Sequence, residues 1–136
     1  MLRARVKTAA MPTRPNARTT TRHAAEARGR GAEERVAARL EAEGWTILAR
    51  RFRNPGGEID LVAEREGLLA FVEVKQRAAL AEAAYSLTPR QQARLVAGAE
   101  AWMAVNPGHG TAGMRFDVVL VDAGGRMRRI TDAIRG

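Results

Sequence analysis

The sequence predicts an α/β fold in which a mixed central sheet is flanked by helices, with the elements in the order α-β-β-β-α-β-β. Short segments rich in aliphatic and aromatic residues, separated by turn residues, recur between residues 45 and 75, as in consecutive strands. Residues 30–43 and 89–105 instead repeat apolar side chains every three or four positions, which indicates helices. Because a helix between two strands of one sheet usually makes a crossover, the third and fourth strands are predicted to be parallel.

The first half of the domain is predicted to contain one helix and three strands. The helix covers residues 30–43, and Gly44 favours its end at that point. The strands follow at 45–53, 58–64 and 68–75, and only short turns separate them. The three strands are therefore consecutive, without another element between them.

The second half is predicted to contain a loop, a helix and two strands. After a loop at 76–87, residues 88–91 (TPRQ) combine an N-cap threonine, a proline at the first helical position and a capping-box glutamine. This helix ends before residues 106–108 (NPG). A strand at 114–121 and a short last strand at about 126–131 complete the predicted core.

Composition limits the classes of protein to which the chain can belong. Its 136 residues, with 46% hydrophobic and 28% charged residues, are typical of one globular domain. No apolar run approaches the roughly 18 residues of a membrane span. The absence of cysteine excludes disulfides and thiolate metal sites and is typical of a reducing compartment. We therefore expect a cytoplasmic protein that does not associate with membranes.

The net charge of +8 is concentrated at the N-terminus. Eight basic residues and one acidic residue precede residue 31, whereas 15 basic and 14 acidic residues follow it. Residues 1–28 also lack an apolar period, so we expect a disordered basic tail before a folded domain at 29–136. The tail is similar in composition to an organellar transit peptide; the alternatives are an upstream extension, or a start codon assigned too early, with Met11 as the alternative start.

The most informative residues lie in the second and third strands. Glu73 and Lys75 are two apart, so they share one strand face with Phe71, and a charged pair beside a buried aromatic ring requires a partner, a solvent opening or a ligand. The carboxylates of Asp60 and Glu73, helped by the carbonyl of Val74, are oxygen ligands that suit Mg²⁺ or Mn²⁺. Such an ion polarises a phosphodiester and activates water. An adjacent lysine can then stabilise the developing charge.

A structural interpretation of the same residues stays open. The D-x12-ExK spacing also fits a half-exposed strand, on which Glu73 and Lys75 pair across to Asp60 and Glu58. One detail favours the chemical interpretation: 21 of the 23 basic residues are arginine, yet position 75 is a lysine. A compact, titratable ammonium has chemistry that a guanidinium lacks.

The order of elements and the D…ExK placement together resemble the PD-(D/E)xK, or restriction-endonuclease-like, fold. The segments GEIDLVA, FVEVKQR, LTPRQQARL and RFDVVLVD further resemble the YraN-like family of uncharacterised bacterial proteins, over about residues 29–134. The resemblance implies a restriction-endonuclease-like α-β-β-β-α-β core and a relation to archaeal Holliday-junction resolvases. Ala32 replaces a usual glycine, and Gln91 stands where lysine is common. The second departure weakens the case that the second helix supplies a phosphate-binding cation.

The resemblance also implies roles for particular residues. Four of them are expected to be catalytic, and the three acids among them are expected to be metal ligands: Glu33, Asp60, Glu73 and Lys75. Glu58 shares a strand face with Asp60 and is a candidate partner of the ligands. Four arginines are candidates for phosphate contacts, against the ordinary interpretation as solvated charges: Arg50, Arg51, Arg53 and Arg77.

Three functions are compatible with the sequence. The first is a Mg²⁺-dependent nuclease that acts on DNA, including branched or damaged DNA. The second is a nucleic-acid-binding module that keeps the fold without turnover, and the third is an interaction protein without a nucleic-acid role. The intact set of Asp60, Glu73 and Lys75 favours the first. The choice between DNA and RNA and the oligomeric state, a homodimer included, stay open.

Overall fold

The computed structural model describes residues 31–78, 80 and 87–134. A helix at 31–42 (α1) precedes the strands, and the helix Pro89–Val105 (α2) lies between the third and fourth of them. The strands are β1 (Thr46–Asn54), β2 (Gly57–Arg65), β3 (Leu68–Gln76), β4 (Gly113–Val121) and β5 (Met127–Ile130). They form one sheet in the order β1-β2-β3-β4-β5.

The sheet is mixed, as the sequence predicts. β3 and β4 are parallel, with Phe71 opposite Phe116 and Lys75 opposite Leu120. The other three pairs of neighbours are antiparallel. The crossover through α2 explains this pattern, because a helix between two strands returns the chain to the edge where the first strand began. The predicted α-β-β-β-α-β core and the parallel pair within it are confirmed.

The two helices cover opposite faces of the sheet. Each strand therefore contributes apolar side chains to two separate layers. The layer under α1 contains the buried residues Ala32, Val36, Ala37, Leu40, Trp45, Leu61, Ala63, Ala70, Val72, Val119 and Val121. The layer under α2 contains Ile59, Val62, Leu69, Phe71, Leu87, Leu95, Ala99, Trp102, Phe116, Val118 and Leu120. A central strand that is buried on both faces explains the continuous apolar run in β3 and β4.

The start of α2 is fixed by the predicted capping box. The Thr88 hydroxyl accepts a hydrogen bond from the Gln91 backbone N–H at 3.1 Å, and Gln91 Oε1 accepts one from the Thr88 N–H at 2.8 Å. Both bonds satisfy N–H groups that the first helical turn leaves without partners. The Trp102 ring then packs edge-on against Phe71, with the ring centroids 6.0 Å apart. These contacts fix α2 against the sheet.

Close packing of α2 against the β1–β2 hairpin depends on Gly98. A Cβ atom at this position would lie 2.7 Å from Ile59 Cδ1 and 3.0 Å from Asn54 Nδ2. Real Cβ atoms do not approach other heavy atoms this closely, and Ile59 is only 1% exposed. The absence of a side chain at Gly98 therefore sets the distance between helix and sheet.

We expect Gly98→Ala to lower the free energy of unfolding. Overpacking costs about 1–3 kcal/mol, which exceeds the roughly 1 kcal/mol that alanine gains over glycine in a helix. Urea denaturation measures the difference. Ala93→Gly, at an exposed position of the same helix, is the control and is expected to lose about 1 kcal/mol from propensity alone. A Gly98→Ala protein more stable than wild type would contradict the close packing.

Two of the sequence-based predictions concern residues outside the described ranges. The basic tail at 1–28 lies outside them, as does most of the loop predicted at 76–87. Within residues 31–78, 80 and 87–134, neither helix combines the length and the apolar character that crossing a bilayer requires.

Candidate active site

Asp60 lies where β2 separates from β3. The paired residues of these strands run from Arg65–Leu68 to Leu61–Val72. Beyond the last pair, the Asp60 carboxylate accepts a hydrogen bond from the Val74 backbone N–H at 2.8 Å. Ile59 and Leu61, two residues apart, pack in the layers on opposite faces, so the regular alternation of β2 is broken at Asp60. This break turns the carboxylate toward β3, in the gap between the strands.

Glu33 of α1 meets Asp60 in this gap, and the two side chains share a hydrogen bond. The pKa of Asp60 is raised to about 7: burial is the largest cause, the nearby charges of Glu73 and Glu33 add to the rise, and the hydrogen bond from the Val74 N–H opposes it. Burial also raises the pKa of Glu33, although the Arg51 guanidinium opposes the rise. Two carboxyl groups can bond only when one is protonated. The raised pKa of Asp60 favours it as the protonated partner, whose O–H donates a hydrogen bond to the Glu33 carboxylate.

Glu73 is a buried carboxylate with two cationic partners. Its side chain is 4% exposed, and its Oε2 atom lies 3.0 Å from Lys75 Nζ and 3.2 Å from Arg94 Nη2. A buried charge costs several kcal/mol unless partners compensate it, and the two cations provide that compensation. Glu73 therefore holds the ammonium group of Lys75, although the Lys75 side chain is partially exposed. Both residues lie on the face of the sheet that α2 covers.

Arg94 is the site residue that the sequence analysis missed. It comes from α2, the helix for which the glutamine at position 91 had weakened the expectation of a cation. Gln91 is instead used in the helix cap. A signal for Arg94 was present in the helical period, because it lies four residues before the buried Gly98 and therefore on the same face of α2.

The predicted arginines are distributed differently. Arg51 pairs with Glu58 at 3.2 Å and with Glu33 at 3.9 Å, so the candidate partner residue Glu58 is connected to the acid pair through this guanidinium. Arg50 pairs with Glu34 at 3.1 Å, at the surface. The other two arginines predicted to contact phosphate are Arg53 and Arg77. Arg53 is an exposed residue of β1, and Arg77 donates a hydrogen bond to the Gln76 carbonyl.

A cavity of about 330 Å³ opens beside the acid pair. Residues of α1, β1 and β2 line it: Gly31, Glu33, Glu34, Arg50, Arg51 and Leu61. The volume is in the range of small-ligand sites. Its wall combines two guanidinium groups with two carboxylates. Because Glu33 is one of the lining residues, the Glu33 side of the site is accessible through this cavity.

The donor set suits a hard divalent cation. All of its groups are carboxylate oxygens, the ligands that Mg²⁺ and Mn²⁺ prefer. Two acids that share one proton form a place where a divalent cation can replace that proton. Within the described ranges, no group of three or more acidic, histidine or cysteine side chains is arranged to hold a metal ion. Glu73 Oε2 instead contacts Lys75 and Arg94, while Asp60 and Glu33 bond each other.

The buried aspartate of β4 has a structural role. Asp117 pairs with Arg115 at 3.0 Å and accepts a hydrogen bond from the Asp132 backbone N–H at 3.0 Å. It therefore fixes the segment after β5 and does not join the acids at the gap. His109 likewise contacts Glu64 at 2.8 Å at the surface. Neither group belongs to the candidate active site.

Sequence comparison identifies relatives of this chain. The model of the uncharacterised protein family UPF0102 matches residues 32–121. A UPF0102 protein of Granulibacter bethesdensis is 58% identical over 103 residues, which cover 75% of this chain and 65% of that protein. One from Rhodopseudomonas palustris strain HaA2 is 61% identical over 93 residues, which cover 68% and 73%. One from Bradyrhizobium sp. strain ORS 278 is 50% identical over 119 residues, which cover 88% and 84%.

Proposed function

The chain belongs to the uncharacterised protein family UPF0102, and for this member we propose a Mg²⁺- or Mn²⁺-dependent nuclease that hydrolyses phosphodiester bonds in DNA. Membership agrees with the resemblance to an uncharacterised bacterial family that the sequence motifs indicate. The restriction-endonuclease-like fold and the relation to Holliday-junction resolvases belong to the same proposal. Branched or damaged DNA is the substrate class that it favours.

One observation carries the proposal. Where β2 separates from β3, Asp60 hydrogen-bonds Glu33 and lies near the charge of Glu73, the partner of Lys75, and burial together with these two acids raises the pKa of Asp60 to about 7. A buried acid whose pKa is raised further by two neighbouring acids is costly to the fold, which makes a purely structural role a poor explanation for Asp60. Perturbed carboxyl groups beside a cavity are typical of catalytic sites.

Each residue has a defined task in this proposal. Asp60, Glu33 and Glu73 would hold the metal ion, and the Val74 N–H fixes the orientation of the Asp60 carboxylate. The ion, when bound, supplies an activated water and polarises the phosphodiester. Lys75 Nζ, held 3.0 Å from Glu73, is positioned to orient that water and to stabilise negative charge on the phosphate.

The basic residues around the cavity would bind the DNA backbone. Arg50 and Arg51 line the cavity beside Glu33, and Arg53 continues along the same strand. Arginine suits phosphate because its planar fork presents paired donors. Arg50 and Arg51 each pair with an acid in this structure, so their binding to phosphate requires exchange of those partners.

A binding module without turnover is the second candidate. The observation in its favour is that Glu73 is paired with Lys75 and Arg94 and is not grouped with Asp60 and Glu33. A protein of this kind would bind DNA equally with and without a divalent ion. The same fold can carry either function, so only measured cleavage separates the two.

The test is a cleavage assay of the full-length protein on labelled linear, flapped and four-way DNA. Each substrate is incubated with Mg²⁺, with Mn²⁺ and with EDTA. We expect cleavage of at least one branched substrate in the presence of an ion and none in EDTA. Binding without cleavage under every condition would support the second candidate. The absence of both would leave the interaction protein as the remaining function.

A further inference from the structure

We propose that Arg94 is a second cation of the candidate site and binds a phosphate of the DNA, while the carboxylate of Glu73 holds it in position. The inference rests on the proposed function for its ligand, because it names which residue of α2 would contact the substrate backbone. It goes beyond the sequence motifs, which assign no role to Arg94.

The first argument is charge. Glu73 Oε2 accepts contacts from Lys75 Nζ at 3.0 Å and from Arg94 Nη2 at 3.2 Å. The three side chains therefore carry two positive charges against one negative charge, at a carboxylate that is only 4% exposed. Lys75 alone would neutralise Glu73. The additional guanidinium makes this corner of the site attractive to an anion such as phosphate.

The second argument is the path of the side chain. A Cβ atom on Gly57 would lie 2.6 Å from Arg94 Cδ and 2.9 Å from Cγ. The aliphatic stem of Arg94 thus crosses the start of β2 at a position where no side chain intervenes. Gly98 brings the same helix close to Ile59. These two glycines allow α2 to direct the guanidinium toward the end of the sheet where Glu73 lies.

The third argument is the availability of donors. The Arg94 side chain is 34% exposed, although it reaches a carboxylate that is almost fully buried. Its contact with Glu73 uses Nη2, so Nε and Nη1 retain N–H donors for the oxygens of a phosphate. A guanidinium that is anchored at one nitrogen loses little further conformational freedom when it binds an anion with the others.

Arg94 could instead serve only as a structural link between α2 and the sheet. The two roles predict different results for Arg94→Gln, which keeps a hydrogen-bond donor for Glu73 but removes the charge. A structural link predicts a lower melting temperature with unchanged DNA binding. A phosphate ligand predicts weaker binding and a smaller dependence of binding on salt.

The experiment measures binding of a fluorescein-labelled DNA duplex to the full-length protein in EDTA over a series of KCl concentrations. We expect Arg94→Gln to weaken binding about tenfold and to reduce the slope of log affinity against log salt by about one phosphate contact. Arg39→Gln is the matched control. Arg39 pairs with Glu43 and lies about 9 Å along α1 from Glu33 at 1.5 Å per residue, so its loss should leave affinity and slope nearly unchanged.

A second variant protects the test against a folding defect. Arg94→Lys keeps the charge at Glu73 but loses the planar fork, so we expect wild-type thermal stability with binding weakened by a few-fold. Wild-type affinity and salt slope in both Arg94 variants would overturn the inference. If Arg94→Gln binds DNA more weakly but the wild-type protein never cleaves DNA, the result would support Arg94 as a phosphate ligand and contradict the proposed nuclease activity. Wild-type protein that binds no DNA would overturn both.

Discussion

Glu73→Gln is expected to abolish metal-dependent cleavage of DNA, and Lys75→Ala is expected to slow it by on the order of 10²–10³-fold. The glutamine removes an anionic oxygen from the proposed metal ligands, whereas the alanine removes a charge that stabilises the reacting phosphate. Glu73 is nearly fully buried beside both cations, and its electrostatic interactions with them are strong because a buried site has a low dielectric constant. Single-turnover cleavage of the best substrate, at saturating Mg²⁺ or Mn²⁺, measures both effects.

DNA binding separates a catalytic defect from a misfolded protein. Both variants should still bind DNA, and Glu73→Gln keeps an amide oxygen that can accept a hydrogen bond from Arg94 while it removes a negative charge that repels phosphate. Glu100→Gln, an exposed change on α2, is the control and should cleave normally. Cleavage by Glu73→Gln and Lys75→Ala at the wild-type rate would mean that the activity does not arise at this site.

Asp60→Asn is expected to stabilise the protein at pH 8 in EDTA, although it removes a proposed metal ligand. The pKa of Asp60 rises from its ordinary value of 3.8 to about 7 on folding, because burial disfavours its charged form. Folding then takes up a proton between about pH 4 and pH 7, so the free energy of unfolding of wild type falls as pH rises through that window. Asparagine does not titrate. It can still accept the Val74 N–H and donate to Glu33, as protonated aspartic acid does.

The size of this effect has an upper bound. A rise from 3.8 to about 7 corresponds to at most about 4 kcal/mol at pH 8, and partial exposure of Asp60 reduces it. Urea denaturation at a series of pH values should show the gain at pH 8 and its loss near pH 4. A constant difference between the two proteins at every pH would contradict the raised pKa of Asp60.

Asp122→Asn is a control for which the expected change in the free energy of unfolding has the opposite sign. Hydrogen bonds from the Arg126 and Gly124 backbone N–H groups hold the pKa of Asp122 below its usual range. Its carboxylate therefore stabilises the fold at neutral pH, and this contribution is lost as pH falls through the lowered pKa. Asp122→Asn should be less stable than wild type at pH 8, in the same assay in which Asp60→Asn is more stable.

The sequence by itself determined the elements and much of their order in space. The capping box at Thr88 and Gln91, the periods of the two helices and the turn residues after β1 are local signals, and the structure follows them. The crossover through α2 predicted the parallel pair of β3 and β4. The two-residue spacing also predicted that Glu73 and Lys75 share a face, because side chains alternate along a strand.

The tertiary structure alone decided how the site is assembled. The contact between Arg94 and Glu73 joins residues 21 apart, and it depends on how closely α2 packs over Gly57 and Gly98. The bond between Glu33 and Asp60 depends on a break in the alternation of β2, which composition and period do not encode. Burial, which sets the pKa of Asp60, is likewise a property of the packed chain, because desolvation exists only after the layers on both faces of the sheet have formed.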